Sequence, residues 1–178
     1  DRNQWEYRIN AQDVNAIESP LKNRGVKDID MMIVRENIEG EYSEIGGRLY
    51  RGLPEEAVFQ QAVFTRKGCD RVMRYAFELA KKRKRKQVTS ATKSNGISIS
   101  MPYWDERFAA MAKQYPGVKA NQFLIDIFCA HIVRHPDWFD VIVASNLFGD
   151  ILSDLAPAVG GGMGITPGAN INPEHEYP

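Results

Sequence analysis

Short apolar runs alternate with amphipathic stretches along most of the chain. Apolar residues recur at the i, i+3, i+4, i+7 spacing of an amphipathic helix at residues 65–85 and 101–115, and residues 126–134 are also helix-like. Strand-like segments span residues 29–34, 87–92, 118–125 and 139–146, and the apolar runs 29–34 and 139–146 among them are typical of buried strands in a parallel sheet. Strands that alternate with helices predict an α/β domain with a largely parallel sheet flanked by helices. On the first helix the predicted buried face consists of Cys69, Val72, Met73, Ala76, Phe77 and Ala80.

A segment of different character lies between the first predicted strand and the first predicted helix. The stretches EYSEIGGRLYRG (41–52) and EEAVFQQAVFTRKG (55–68) combine a Gly-Gly turn with alternating aromatic or β-branched residues. This pattern is typical of an extended arm or a β-hairpin rather than of a strand in the main sheet.

Two aspartates interrupt the apolar stretch SNLFGDILSDL (145–155). Asp150 and Asp154 are four residues apart, which is about one helical turn, so both carboxylates should leave the same side of one helix. Apolar neighbours cover most of the circumference of this helix, and burying a charge is costly unless it is paired or bound to a cation. We therefore expect the two aspartates to bind a cation, although a solvated helix face remains an alternative for Asp154.

Four predicted strands end close to a distinctive polar residue, namely Arg35, Lys93, Asp126 and Asn146. Ligands of open α/β sheets bind outside the carboxyl ends of the strands. An arginine, a lysine and three carboxylates can therefore converge on one crevice. Purely structural roles stay open as well: Asp126 can cap a helix, Arg35 can pair with Glu36 at the surface, and Lys93 can occupy a turn.

These residue types fit the oxidation of a group next to a carboxylate. Several carboxylate oxygens suit a hard divalent ion such as Mg²⁺ or Mn²⁺, which can polarise a hydroxyl and later a carbonyl. The planar guanidinium of Arg35 matches a substrate carboxylate. A lysine with a lowered pKa, here Lys93, can act as a general base, and Tyr42 can serve as a proton donor.

Composition excludes several other classes of protein. The 178 residues contain 23 Lys plus Arg and 23 Asp plus Glu, and this balance argues against a nucleic-acid-binding protein. We attribute the basic run KKRKRK (81–86) to a solvated helix end. No apolar run reaches the length of a membrane span, and we expect no signal peptide. Cys69 and Cys129 lack CxxC spacing and are predicted to be buried thiols, so we expect a cytoplasmic protein.

Four motifs together resemble the isocitrate/isopropylmalate dehydrogenase family, the β-decarboxylating dehydrogenases. In family order they are VRENIEGEYS, TSATKSNGISISMPYWDER, NQFLIDIFCAHIV and NLFGDILSDL, and the resemblance covers about residues 19–178. Within the family, ATKSNG followed by MPYWDER is most similar to the branch that acts on tartrate and D-malate. The resemblance therefore implies an isopropylmalate dehydrogenase-like fold and the NAD-dependent oxidation and β-decarboxylation of a 2-hydroxy dicarboxylic acid.

The resemblance also assigns roles to individual residues. It implies that Arg35 binds a substrate carboxylate, that Lys93 deprotonates the C2 hydroxyl during hydride transfer to NAD⁺, and that Tyr42 protonates the enol left by the loss of CO₂. It makes three carboxylates the ligands of Mg²⁺ or Mn²⁺: Asp126, Asp150 and Asp154.

In this family the lysine and one aspartate come from the second subunit. The resemblance therefore implies a homodimer with shared active sites, in which Lys93 and Asp126 complete the site of the partner. Residues 43–64 would be the intertwined arm that holds the dimer together. No nucleic acid or membrane is expected as a partner.

The chain departs from the family in its length, because family members are about twice as long. We expect residues 1–160 to form the substrate, metal and dimerisation domain, and residues 161–178 to begin the return to a cofactor domain that is largely missing. No residue can be assigned to cofactor binding. A catalytically silent metal-binding or dimerisation fragment is the alternative interpretation.

Overall fold

The computed structural model describes residues 4–10 as backbone, and residues 19–22, 24, 28–162 and 166–174 in full. Eight strands and four α-helices are present in this part of the chain. In chain order they are β1 (Gln4–Asn10), β2 (Asp30–Arg35), β3 (Gly46–Leu49), β4 (Ala57–Gln60), α1 (Arg66–Lys82), β5 (Gln87–Thr92), α2 (Ser100–Ala112), β6 (Lys119–Leu124), α3 (Ile125–Arg134), β7 (Val141–Ala144), α4 (Asn146–Gly160) and β8 (Gly168–Ile171).

Six strands form one sheet in the order β6-β5-β7-β2-β1-β8. The first four strands in this order are parallel, whereas β1 runs antiparallel to both β2 and β8. The crossing direction reverses after β6, so right-handed crossovers place α1 and α2 on one face of the sheet and α3 and α4 on the other. This architecture confirms the predicted α/β fold with a largely parallel sheet.

The buried side of α1 follows the predicted spacing. All six residues of the predicted stripe are buried against the sheet and α2. Thr65 begins the helix as its N-cap, since its hydroxyl oxygen accepts a hydrogen bond from the Gly68 N–H at 3.0 Å. On α2, the indole Nε1–H of the buried Trp104 donates to the Ser90 hydroxyl at 2.9 Å, which satisfies the polar atom of that core side chain.

The helix α1 ends at Lys82 rather than at the predicted residue 85. Arg83 leaves the helix in an extended conformation and pairs with the carboxylates of Asp140 and Asp30. Arg85 donates to main-chain oxygens of the loop before β7. The expectation that the whole basic run is solvated is therefore wrong at Arg83, whose side chain is largely buried.

Residues 43–64 contain a hairpin that stands apart from the main sheet. Strands β3 and β4 pair with each other in antiparallel register, and they form a separate two-stranded sheet. Their apolar side chains lie in solvent, since Leu49, Val58 and Phe59 are each about half exposed or more. The prediction of a hairpin or extended arm is confirmed as a structure, and the role of this arm in dimerisation stays a prediction.

Three further observations bear on the sequence analysis. Both cysteines are free, and burial raises the pKa of the Cys69 thiol to about 12. No helix among the described residues has the length and apolar character needed to cross a bilayer.

Residues 168–171 pair with β1 at the edge of the main sheet. The division of the chain at residue 160 stays a prediction.

The buried ion pair between Arg83 and Asp140 generates a first prediction. Asp140 is 1% exposed, and its second oxygen accepts a hydrogen bond from the Gln87 N–H. Replacing Asp140→Asn removes the charge that Arg83 pairs with, and should lower the free energy of unfolding by about 3 kcal/mol. Urea denaturation of the full-length protein measures this loss. The control Glu78→Gln removes one partner of an exposed pair with Lys81 and should cost less than about 0.5 kcal/mol.

Candidate active site

The carboxyl ends of the four parallel strands lie at one edge of the sheet. Arg35, the last residue of β2, is in register with Ala144 at the end of β7, and Thr92 at the end of β5 is in register with Leu124 at the end of β6. Strand β7 sends its chain to α4 on one face, while its neighbours β5 and β2 send theirs to α2 and α1 on the other. Such a switch point is where open α/β sheets bind ligands.

Arg35, Tyr42 and Asp150 form a cluster at this edge. The Arg35 Nη1–H donates to one oxygen of the Asp150 carboxylate, and the Tyr42 hydroxyl donates to the other at 2.9 Å. The guanidinium carbon of Arg35 lies 5.9 Å from the centroid of the Tyr42 ring. A cation, a phenol and a carboxylate therefore meet on the outer surface of α4.

Asn146, the first residue of α4, holds the Arg35 guanidinium in place. Its side-chain oxygen accepts hydrogen bonds from the Arg35 Nε–H at 3.2 Å and the Nη2–H at 2.8 Å, and its Nδ2–H donates to the main-chain oxygen of Glu39 at 3.1 Å. Asn146 is almost completely buried, as is Arg35. The suggestion that Arg35 belongs to a surface pair is therefore wrong, and Glu36 is itself 1% exposed.

The glycine in NLFGD provides space for this arginine. A Cβ at Gly149 would collide with the Cγ and Cβ atoms of Arg35, which are close to the backbone and cannot easily move. Our sequence analysis missed Gly149 and noted Asn146 only as a strand-end residue. A glycine inside a helix, five residues after the end of a buried strand, was the signal, since glycine is unfavourable there unless another group approaches its backbone closely.

The environment of Tyr42 favours the protonated phenol. Partial burial and the neighbouring Asp150 carboxylate, which accepts the phenolic hydrogen bond, both raise the pKa of Tyr42 above its ordinary value of 10.0. The hydroxyl therefore carries its proton at neutral pH, and Tyr42 as a whole is 49% exposed. It is chemically suited to donate a proton to a bound molecule.

Lys93 and Asp126 form a second, separate pair. The Lys93 ammonium donates to the Asp126 carboxylate at 2.9 Å, across the ends of β5 and β6. This hydrogen bond holds the pKa of Asp126 below its ordinary value, with a smaller contribution from the residue's own backbone N–H. Leu124 occupies the N-cap position of α3, so Asp126 is an acid in the first turn rather than the cap.

The two aspartates of α4 are less buried than the sequence suggested. The Asp150 side chain is 47% exposed, Asp154 is exposed, and Ile151 between them is 42% exposed. Our argument that burial alone makes these acids require a cation is therefore wrong for the single chain. The spacing does hold, because both carboxylates leave the solvent-facing side of the helix.

The described residues do not bring all the predicted site residues together. Among them, no three His, Cys, Asp or Glu side chains lie close enough to hold a metal ion. Asp150 and Asp154 offer only oxygen donors, which suits Mg²⁺ or Mn²⁺, and two carboxylates leave most of the coordination sphere open.

The sequence and the fold both match known proteins. The family described as isocitrate/isopropylmalate dehydrogenase matches residues 8–177. The chain is 54% identical over 180 residues to a protein named D-malate dehydrogenase [decarboxylating] from Escherichia coli (strain K12), and 54% identical over 181 residues to a tartrate dehydrogenase/decarboxylase from Pseudomonas putida. These matches cover 99% of the chain and 50% of each relative, so the chain spans about half of their length.

A solved structure supports the same assignment. The isocitrate dehydrogenase from Methylococcus capsulatus superposes with a TM-score of 0.83 at 35% sequence identity, over 97% of this chain and 49% of that protein. The arrangement of strands and helices described above therefore follows the fold of that enzyme.

The close approach of Arg35 to Gly149 generates a second prediction. Gly149→Ala should displace the Arg35 stem and lower the free energy of unfolding by about 1–2 kcal/mol, because overpacking outweighs the helix propensity that alanine gains. Urea denaturation of the full-length protein measures the change. The matched control is Gly117→Ala, where a new methyl group meets no atom within 4 Å and the change should stay within about 0.5 kcal/mol. Equal effects of the two substitutions would contradict the prediction.

Proposed function

The chain belongs to the isocitrate/isopropylmalate dehydrogenase family, and from this membership we propose that the protein containing it oxidises a 2-hydroxy dicarboxylic acid of the tartrate or D-malate type. The reaction uses NAD⁺ and a divalent cation, and it ends with the loss of the β-carboxylate as CO₂. The observation that carries the proposal is the contact of Arg35, Tyr42 and Asp150 at the carboxyl edge of the sheet.

Arg35 binds a carboxylate of the substrate. Its guanidinium is planar, permanently charged and oriented by Asn146, so its remaining N–H groups are held in place and can meet a carboxylate without having to be ordered first. The Nη1–H that contacts Asp150 would become available to the substrate if that carboxylate held a divalent cation instead. The absence of any side chain at Gly149 keeps this orientation possible.

Tyr42 and Lys93 move the two protons of the reaction. In its neutral amine form, Lys93 would accept the proton of the C2 hydroxyl, and bound NAD⁺ would supply the hydride acceptor. After the bond to the carboxylate breaks and CO₂ departs, the Tyr42 hydroxyl donates its proton to the resulting enol at carbon. The phenol has this proton to give at neutral pH, because the pKa of Tyr42 lies above 10.0.

Asp150 and Asp154 would hold Mg²⁺ or Mn²⁺ together with Asp126 of the partner subunit. The donor set consists of carboxylate oxygens alone, which is the chemistry that these ions prefer. The bound cation supplies a Lewis acid that polarises the hydroxyl and the carbonyl of the substrate. The exposure of both helix α4 aspartates supports the idea that they serve a ligand outside the chain.

The active sites are shared in a homodimer. The Lys93–Asp126 pair and the Arg35 cluster are separate within one chain, which supports the assignment of the pair to the site of the partner. Exposed apolar side chains flank the same region, with Ile127 on α3 and Ile151 on α4, and others lie on the hairpin. Large exposed apolar patches mark protein interfaces, and we propose these side chains as members of one. The free cysteines support a reducing, cytoplasmic location.

The proposal predicts that activity requires both the cofactor and the cation. The full-length protein should reduce NAD⁺ in the presence of D-malate or tartrate, as followed by NADH absorbance, and only when Mn²⁺ or Mg²⁺ is present. Full activity in excess EDTA would refute the metal role. A protein that binds Mn²⁺ as a dimer but shows no NAD⁺ binding by calorimetry would support the catalytically silent alternative.

Asp154 tests the metal site directly. Asp154→Asn should weaken Mn²⁺ binding by at least about tenfold, because replacing even an outer-shell partner of a metal site lowers metal affinity by about that factor. Light scattering should still find a dimer. Titration calorimetry with Mn²⁺ gives the affinity. The control Glu106→Gln changes an exposed acid on α2, on the other face of the sheet, and should leave Mn²⁺ affinity unchanged.

Shared sites predict complementation between two inactive variants. Lys93→Ala and Asp154→Asn should each abolish activity alone, because each damages both sites of its homodimer. A heterodimer has one site with both residues intact, so co-expression in equal amounts should restore about one quarter of the wild-type activity. Two copies of the same variant, differently tagged, are the control. Absence of any recovery in purified heterodimers would place Lys93 and Asp154 in the same chain's site.

A further inference from the structure

We propose that Glu41 is a positioning residue. Although it is remote in sequence, its carboxylate caps the N-terminus of helix α4 and thereby keeps the Tyr42 hydroxyl in contact with Asp150. The inference rests on the proposed function, because it concerns the residue that delivers the final proton. Glu41 is not expected to touch the substrate.

The N-terminus of α4 has no local side-chain cap. Ser145 occupies the N-cap position, where a serine hydroxyl usually accepts a hydrogen bond from the second or third amide of the helix, but it makes no such bond. Its hydroxyl instead donates to Glu41 Oε1 at 2.6 Å, and the Leu147 N–H donates to Glu41 Oε2 at 3.1 Å. Glu41, 104 residues away in sequence from Ser145, therefore takes over the capping function.

The charge of Glu41 suits this position. The first turn of a helix carries free N–H groups and the positive end of the helix dipole, so a carboxylate there is stabilising. Ser145 is fully buried, and Glu41 is half-buried, which shields the two hydrogen bonds from competing water. Loss of the carboxylate would leave the buried hydroxyl and the Leu147 amide without this acceptor.

A second glutamate anchors the same loop to α1 on the opposite face of the sheet. Glu39 accepts a hydrogen bond from the Thr65 N–H at 2.7 Å, and any side chain at Gly68 would collide with its carboxylate. Gly40 between the two glutamates has φ +102° and pairs with Val63 through two main-chain hydrogen bonds of 2.8 and 3.0 Å. Residues 39–41 are thus hydrogen-bonded to the starts of two helices, α1 and α4.

These hydrogen bonds control the distance between Tyr42 and Asp150. Tyr42 directly follows Glu41, and Asp150 lies in the turn of α4 that follows Leu147. The Tyr42 side chain is half exposed, and its hydroxyl contacts Asp150. The contact of Glu41 with Leu147 therefore joins the backbone of the proton donor to the helix that carries its partner. Arg35 is held by Asn146 instead, so Glu41 should matter for the proton step more than for substrate binding.

Kinetics of Glu41→Ala in the full-length protein test the proposal. We expect kcat for the oxidative decarboxylation to fall by about ten- to a hundredfold, the usual cost of a displaced catalytic group, while KM for the hydroxy acid changes by less than about threefold. The double variant Glu41→Ala/Tyr42→Phe should be no slower than Tyr42→Phe alone, because Glu41 acts through Tyr42. Glu41→Gln keeps one acceptor oxygen and should recover part of the lost kcat.

A control separates this role from a general loss of stability. Asp140→Asn weakens a buried ion pair at the opposite edge of the sheet, and should lower the unfolding midpoint without changing kcat. Two results would overturn the proposal: a kcat of Glu41→Ala within about threefold of an active wild type, or additive effects of Glu41→Ala and Tyr42→Phe on kcat.

Hydrogen exchange distinguishes this proposal from the proposed function. The Leu147 amide should exchange faster in Glu41→Ala than in wild type, whether or not the protein is active on D-malate or tartrate. An inactive wild type would refute the proposed function and with it the catalytic consequence of Glu41, and unchanged exchange at Leu147 would overturn the capping role itself.

Discussion

The buried guanidinium of Arg35 joins the carboxyl end of β2 to the first turn of α4, and the arrangement of the candidate active site depends on this contact. A buried cation is costly unless its N–H groups find acceptors. Asn146 and Asp150 provide them from one side of α4, and Gly149 leaves room for the aliphatic stem. The stretch NLFGD is therefore shaped by an arginine more than a hundred residues earlier in the chain, as well as by its own carboxylate.

The local pattern of residues was sufficient to predict the four parallel strands and most helix positions, but not the antiparallel strand β1 or the edge strand β8. The strand β5 occupies the predicted residues, and the buried stripe of α1 matches the predicted spacing because both depend on periodicity alone. The end of α1 could not be predicted in the same way. Arg83 leaves the helix to pair with Asp140, and a contact between residues so far apart in sequence leaves no trace in the helical pattern. The position of the buried Asp140 carboxylate therefore determines where α1 ends.

The candidate site was predicted in its parts more than in its arrangement. The strand-end rule correctly placed Arg35, Lys93 and Asp126 at one edge of the sheet. Which of them meet depends on the strand order β6-β5-β7-β2, in which β7 separates Arg35 from Lys93. That order is fixed by long-range pairing, so the sequence could not show that the charged groups form two clusters. A helical wheel likewise could not show that the aspartate face of α4 is open to solvent in one chain.

The exposure of the ion pairs distinguishes those that hold the fold from those that are free to change partners. Arg83–Asp140 and Arg107–Asp70 are largely buried, and breaking them leaves a charge without compensation. In the pairs at the carboxyl edge, the carboxylates of Asp126 and Asp150 are each about half exposed or more, and solvent weakens such contacts. Under the proposed function, a substrate carboxylate or a cation would replace one partner of such an edge pair at little cost. Arg35 and Lys93 each have a carboxylate partner in the single chain, so ligand binding would proceed by an exchange of partners rather than by the ordering of free side chains.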